Sequence, residues 1–263
     1  KDPLGMKGSR LEIRANVVSG LTPYCDNVRK SMEMAKVNAV RLVPSVVAAA
    51  KAVLTEKQKE NGVAVIDMGF ATTSVAVFDE GDLQYAGVVG KGSNNITNDL
   101  AIVLKTEPEI AEEIKCRFVS CDFGNNDKEI SLKRGREEFS FDRAEVEEIV
   151  EARLDDIFDD VRKELKRAGY DKRLPEGVVL VGGGAKLRDI EVYVKNKVEL
   201  SARVATSTGL GGISEQVQKP EYAAAIGLMI DNSRESVIKS SSKSEKTSGA
   251  GVFAKMKGML SKF

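Results

Sequence analysis

The sequence predicts an α/β protein. Three observations carry that expectation. Short apolar, largely β-branched runs at residues 63–66, 74–78 and 178–181 read as buried strands. Between them lie segments with apolar residues every three or four positions, the helical period. Two of the strands run directly into glycine-bearing turns.

Taken in order, residues 11–18 alternate enough for a strand. Residues 26–36 place Val28, Met32 and Ala35 at helical spacing. Residues 39–43 are a short apolar run, and Pro44-Ser45 opens a helix over 46–54. The strand at 63–66 leads to one at 74–78, and Glu80-Gly81 turns the chain back into 83–89, which makes a three-stranded meander. Helices follow over 95–104, capped by Asn94 or Asn95, and over 109–118. Residues 129–133 and 138–141 form a hairpin around Gly135. The longest helix starts at Asp142, with Glu145 completing a D-x-x-E capping pattern. Its apolar stripe is Val146, Ile149, Val150, Leu154, Ile157, Phe158, Val161 and Leu165, and Gly169 closes it. The strand at 178–181 ends at Gly182-Gly183-Gly184. A helix over 189–198, a strand over 202–205 and a last helix over 221–230 complete the body.

Composition excludes several chemistries. The 263 residues suit one large domain or two smaller ones, and 42% hydrophobic with 30% charged residues is ordinary for a soluble globular chain. There is no His, so Ser-His-Asp and Cys-His catalysis and His-bearing zinc or haem sites are out. Cys25, Cys116 and Cys121 are odd in number and lack CxxC spacing. That argues against a disulfide framework or a Cys-only zinc site and for a reducing cytoplasm. Cys116 and Cys121 read as small buried hydrophobes. No run of 18 apolar residues occurs. The opening residues carry neither an initiator Met nor a signal peptide, and read as the middle of a longer chain.

The 40 basic and 40 acidic residues cancel, which argues against a nucleic-acid binder. The cancellation hides a split. From Lys239 onward six lysines face one glutamate, a surplus of five that the first 238 residues offset. The acidic cluster around Asp155, Asp156, Asp159 and Asp160 reads as the solvated face of the longest helix rather than a metal site.

Two loops are candidates for chemistry. In the first, an apolar strand delivers Asp67, followed by Gly69, Thr72, Thr73 and a second strand. Such a turn aims N–H groups and hydroxyls at phosphate oxygens, and the Asp suits Mg²⁺ held through water. It reads equally as a plain hairpin. In the second, Gly182-Gly183-Gly184 lets backbone approach a flat or anionic ligand. It is neither a G-x-G-x-x-G fingerprint nor a P-loop, and it reads equally as close helix–strand packing.

The order of the two loops is more specific than either one. A strand-Asp-x-Gly-x-x-Thr-Thr-strand unit, a mid-chain helix and a strand ending in three glycines resemble the second half of the actin/Hsp70 ATPase superfamily. The resemblance implies a partial actin-like (ribonuclease H-like) ATPase fold binding ATP and Mg²⁺. It puts Asp67, Gly69, Thr72 and Thr73 around phosphate, with Asp67 on Mg²⁺ through water. Gly182, Gly183 and Gly184 would surround adenosine with Glu112 and Lys115, which match a Glu-x-x-Lys helix. Lys186 falls where chaperone relatives carry a basic residue near the base, and Ala223-Ala224-Ala225-Ile226-Gly227 resembles the small-residue hinge helix.

Within that superfamily the chain is similar to the FtsA family of bacterial cell-division proteins. Asp2-Pro3-Leu4-Gly5-Met6-Lys7-Gly8 resembles its D-P-x-G-x-x-G segment. The stretch from Val88 to Leu100 resembles G-G-x-x-x-T-x-D-[IL], and Gln218-Lys219-Pro220-Glu221-Tyr222-Ala223 fits the lead into the final helix. The phosphate turn departs from the family's D-x-G-G-G-T-T-D: Phe70 and Ala71 replace two glycines and Ser74 the last Asp, which bears on hydrolysis more than on binding. No general base is assigned.

The last residues carry a physical signal of their own. The Ser/Lys-rich stretch at 238–250 reads as a flexible linker. At ~100° per residue, Val252, Phe253, Met256, Met259, Leu260 and Phe263 fall within an arc of ~120°. Lys255, Lys257 and Lys262 lie outside it. A short amphipathic helix charged only by lysine fits an anionic membrane surface, each Lys adding roughly 1 kcal/mol. The other reading is a helix packed on the body or in a partner's groove. FtsA proteins carry a membrane-targeting helix here.

The resemblance thus implies an actin-like scaffold that binds ATP, polymerises and tethers the tubulin-like division protein FtsZ to the inner face of the cytoplasmic membrane at the division site. At most it is a weak ATPase. Residues 1–38 would be a remnant of the family's extra subdomain and 39–60 part of the first lobe. The second lobe would take 61–108 and 170–237. Its small subdomain, 109–169, would receive the FtsZ C-terminal peptide. The linker is 238–250 and the membrane helix 251–263. On this reading the N-terminal part of a longer protein precedes Lys1. An actin-like ATPase or sugar-kinase relative, and a type IV pilus actin-like adaptor, are the alternatives.

Overall fold

A computed structural model describes residues 7, 9–10, 12, 16–37, 41–124, 129–205 and 218–230. Helices α1 (Thr22–Met34), α2 (Ser45–Val53) and α3 (Glu56–Asn61) come first. Strands β1 (Val63–Met68), β2 (Thr73–Asp79) and β3 (Asp82–Val89) follow. Helices α4 (Ser93–Val103) and α5 (Pro108–Phe118) lead to the hairpin β4 (Ile130–Arg134) and β5 (Glu137–Phe141). Then come α6 (Arg143–Arg167), β6 (Val178–Val181), a 3₁₀ turn (Gly183–Lys186), α7 (Ile190–Val198), β7 (Ala202–Val204) and a 3₁₀ turn (Pro220–Tyr222). Helix α8 runs through 223–230.

One sheet organises the molecule, in the order β3-β2-β1-β6-β7. β1, β2 and β3 form an antiparallel meander, while β6 and β7 run parallel to β1 and to each other. Side chains alternate across a strand, so the sheet has two apolar faces. Ile66, Met68, Val75, Val77, Val178 and Leu180 pack with residues of α4 to α7. Val63, Val65, Ala76, Phe78, Val179 and Val181 pack with α2 and α8. Burial on both faces is why the central strands read as continuous apolar runs. On the second face α2 and α8 approach closely: a Cβ on Gly227 would lie 1.7 Å from the Ala48 carbonyl oxygen.

The first core is continuous across residue 109. Ile110, Ile114, Ile130 and Leu132 belong to the same cluster as Ile66 and Leu180. Likewise α2, within the expected first-lobe segment 39–60, packs directly on the sheet.

Several elements differ from expectation. α1 begins at Thr22, because Pro23 sits where its missing N–H costs nothing. α3 was missed because it is polar throughout and buries no residue. It stands on a Thr55/Gln58 capping box, with Gln58 N donating to Thr55 Oγ1 (3.3 Å) and Thr55 N to Gln58 Oε1 (3.0 Å). α4 starts at Ser93, so Asn95 is not the cap. It lies one turn in and accepts from Gly92 N (2.9 Å).

The acidic face of α6 is not merely solvated. Lys91 bridges Asp156 and Asp160 on one flank, and Lys197 bridges Asp155 and Asp159 on the other. The aspartates thereby dock α6 to the β3–α4 loop and to α7. Half of the strand expected at 11–18 lies outside the described residues, as do 39–40, most of the D-P-x-G-x-x-G segment, the linker and the C-terminal helix. Described residues 16–18 are not in a strand.

Candidate functional site: a cleft between two glycine turns

The parity of β1 turns Asp67 toward the α2 face of the sheet. Its Oδ2 accepts from Ser45 Oγ on the first turn of α2 (3.2 Å). Burial raises its pKa, and the Ser45 bond partly offsets this. The β1–β2 turn closes with Gly69 N donating to the Thr72 carbonyl (2.9 Å). The carbonyls of Gly69 and Phe70 accept from Ser93 N and Asn94 N, both at 2.9 Å, which seats the turn on the start of α4. The N–H groups of Phe70, Ala71 and Thr72 find no acceptor among the described residues, leaving a set of donors suited to an anion. Thr73 sits apart from that set. It is fully buried, and its hydroxyl donates to the Lys91 carbonyl (2.9 Å), so it fastens the turn rather than lining the cleft.

The three glycines at the end of β6 do different things. Gly182 has φ +86°, and a Cβ there would lie 2.6 Å from Asp67 Oδ1 and 2.5 Å from the Met68 carbonyl. A Cβ on Gly184 would lie 2.4 Å from Met68 Cγ. Both glycines serve close packing on the end of β1. A Cβ on Gly183 would meet nothing within 4 Å, so Gly183 alone faces open space.

Between the turns lies a cleft of about 470 Å³, lined by Phe70, Ser93, Glu112, Lys115, Cys116, Gly183, Gly184, Lys186, Leu187 and Glu221. Five expected residues therefore meet on it: Glu112, Lys115, Gly183, Gly184 and Lys186. Gly182 and Asp67 are in contact with each other behind the glycine turn. Lys115 is 5% exposed, and its ammonium is fully engaged. It donates to Glu112 Oε2 (2.6 Å), Thr97 Oγ1 (2.8 Å) and the Ser93 carbonyl (3.3 Å). Lys115 is thus a strut in the wall. Burial pushes the Glu112 pKa up, but the bonds from Lys115 and Thr97 outweigh it and the net shift is downward. Lys186 pairs with Glu221 (3.0 Å) at the cleft.

Ser93, Cys116, Leu187, Glu221 and Ser45 are not among the site residues expected from the sequence. Cys116 follows Glu112 by one helical turn, a spacing that does place it on the same wall. It is exposed, which corrects its reading as a buried hydrophobe. Cys121 is buried, and burial pushes its thiol up to about 12. Glu221 lies 35 residues from Lys186, beyond any local signal. Among the described residues no group of three or more acidic or Cys side chains is placed to hold a metal, and no helix is long and apolar enough to cross a membrane.

A β3-β2-β1-β6-β7 sheet whose β1 and β6 both end in glycine turns at one cleft defines an actin-like domain. Solved structures of that fold superpose accordingly. MreB5 of Spiroplasma citri bound to ADP gives a TM-score of 0.67 at 18% identity, covering 84% of this chain and 69% of that one. The PilM-PilN type IV pilus biogenesis complex gives 0.59 at 18% identity, covering 79% and 57%. Residues 64–227 match the family model for cell division protein FtsA. The FtsA of Pseudomonas aeruginosa is 32% identical over 236 residues, 88% of this chain and 56% of that protein. The FtsA of Bacillus subtilis is 31% identical over 232 residues, 87% of this chain and 51% of that protein. The chain belongs to the FtsA family, and it spans little more than half the length of these relatives.

Proposed function

We propose that the chain acts as an actin-like cell-division scaffold that binds ATP, assembles with its own copies and tethers FtsZ to the cytoplasmic membrane. The family match over residues 64–227 carries this reading, and the cleft geometry supports its nucleotide part. Gly183, Gly184, Glu112 and Lys186 would flank adenosine, in a cleft of ordinary small-ligand size. The free N–H groups of the β1–β2 turn would take phosphate oxygens, with Gly69 and Thr72 in that turn. MreB5 of Spiroplasma citri has been solved with ADP and with AMPPNP in the same fold.

The donor set fits Mg²⁺ in one way only. Asp67 is a single half-buried carboxylate beside the phosphate turn, which suits an ion that keeps most of its water and takes other ligands from phosphate. Bound there, Mg²⁺ would neutralise phosphate charge. The two carboxylates on the cleft are each ion-paired, Glu112 with Lys115 and Glu221 with Lys186, which favours a scaffold over an efficient ATPase.

The FtsZ C-terminal peptide would dock on α5, the β4–β5 hairpin and α6, the segment 109–169. The amphipathic pattern at 251–263 would hold the assembly on anionic lipid. Fluorescence anisotropy with a labelled FtsZ C-terminal peptide tests the scaffold reading directly. Saturable binding to the chain is expected, and no binding at any accessible protein concentration would refute the tether.

A further inference from the structure

We infer that Ser45 is a positioning residue for Asp67, fixing the carboxylate that would meet magnesium. The inference rests on the nucleotide reading above. Asp67 is confined from two sides by parts of the chain remote in sequence. Ser45 Oγ donates to Oδ2 at 3.2 Å. The other oxygen, Oδ1, lies against Gly182, where a Cβ would intrude to 2.6 Å. The carboxylate thus has one oxygen tied and the other backed by backbone, which leaves little rotational freedom.

The Ser45 hydroxyl has no competing local duty. Pro44 holds the N-cap position of α2, and no side-chain capping bond is made there. Ser45 is exposed, whereas α2 is anchored by Val46, Ala49, Ala50 and Val53. Removing the hydroxyl therefore opens no cavity and leaves the helix seated. A hydroxyl that neither caps nor packs, yet reaches across to the one carboxylate at the phosphate turn, acts by aiming it. A water-mediated ion site depends on such aim, since the protein supplies a single anionic ligand.

The test is a titration of Mg²⁺ against binding of a fluorescent ATP analogue to the full chain, with a parallel series in EDTA. Ser45→Ala should raise the Mg²⁺ half-saturation about ten- to a hundredfold, the scale on which losing a partner of a metal's carboxylate lowers metal affinity. It should leave affinity in EDTA unchanged. Ser45→Thr keeps the hydroxyl and should restore the wild-type value. In an Asp67→Asn background Ser45→Ala should add nothing, because the two act as one unit. An unchanged Mg²⁺ half-saturation in Ser45→Ala, or an equal loss in EDTA, overturns the inference while leaving nucleotide binding intact. A wild-type chain that binds no analogue overturns the nucleotide reading and this inference with it.

Discussion

Replacing Lys115 by Met tests the architecture of the cleft wall. Met keeps the buried stem and deletes the ammonium, so the change isolates the polar network. Three acceptors lose their donor at once: Glu112 Oε2, Thr97 Oγ1 and the Ser93 carbonyl. The lysine side chain is 6% exposed, but that of Glu112 is 46% exposed and can recruit water. The cost then falls between that of an exposed pair, about 0–1 kcal/mol, and that of a broken buried one, about 3–5 kcal/mol. A loss of about 2 kcal/mol corresponds to a drop of roughly 4–8 °C in Tm for a domain of this size. Glu112 adds a pH signature. Its native pKa lies below the ordinary carboxylate value, because Lys115 and Thr97 outweigh burial. Its contribution to stability is therefore full above the unfolded-state value and lost as pH falls through the lowered native one. Thermal melts from neutral to acid pH, with and without Glu112→Gln, read both effects. The Lys115→Met chain should lack the acid limb attributable to Glu112, and Glu112→Gln should cost it little further. A Tm within 1 °C of wild type, or an undiminished acid limb in Lys115→Met, would refute the reasoning.

Two further predictions follow from the glycine turn and the C-terminal pattern. Gly183→Ala should leave Tm unchanged, because its methyl meets open space, yet weaken ATP-analogue binding roughly tenfold by intruding into the cleft. Gly184→Ala should instead lower stability by about 1–3 kcal/mol in a denaturant melt through its clash with Met68. Identical behaviour of the two variants would mean that the cleft does not lie on the Gly183 side. The double change Phe253→Glu and Leu260→Glu should abolish co-sedimentation with anionic vesicles, since each removes about 1.5–3 kcal/mol of apolar insertion. Continued pelleting would sink the membrane role of the tail.

Much of the fold was legible because its signals are local. Val63, Val65 and Ile66, or Val178 to Val181, are short apolar runs rich in β-branched residues, the pattern that a strand buried on both faces demands. The stripe from Val146 to Leu165 and the Asp142 cap likewise state their helix outright. α3 escaped because a short polar helix that buries no apolar side chain leaves no periodicity to read; only its capping box marks it. The acidic face of α6 looked solvated because the lysines that neutralise it, Lys91 and Lys197, come from other elements.

The same division runs through the site. Residue types and their spacing were enough to name the groups able to serve: an acid at the end of a strand, a turn with Gly and Thr, three glycines after another strand, and a Glu-x-x-Lys helix. The packing of the folded chain assigned each its part. It turned Lys115 inward as a strut, committed the Thr73 hydroxyl to the Lys91 carbonyl, and left Gly183 alone of the three glycines with open space where a Cβ would stand. It also brought in Ser45 and Glu221, 22 and 35 residues from their partners. Residue type and spacing fix what chemistry a side chain offers. Where its last hydrogen bond goes depends on the packing of distant segments, which no local pattern encodes.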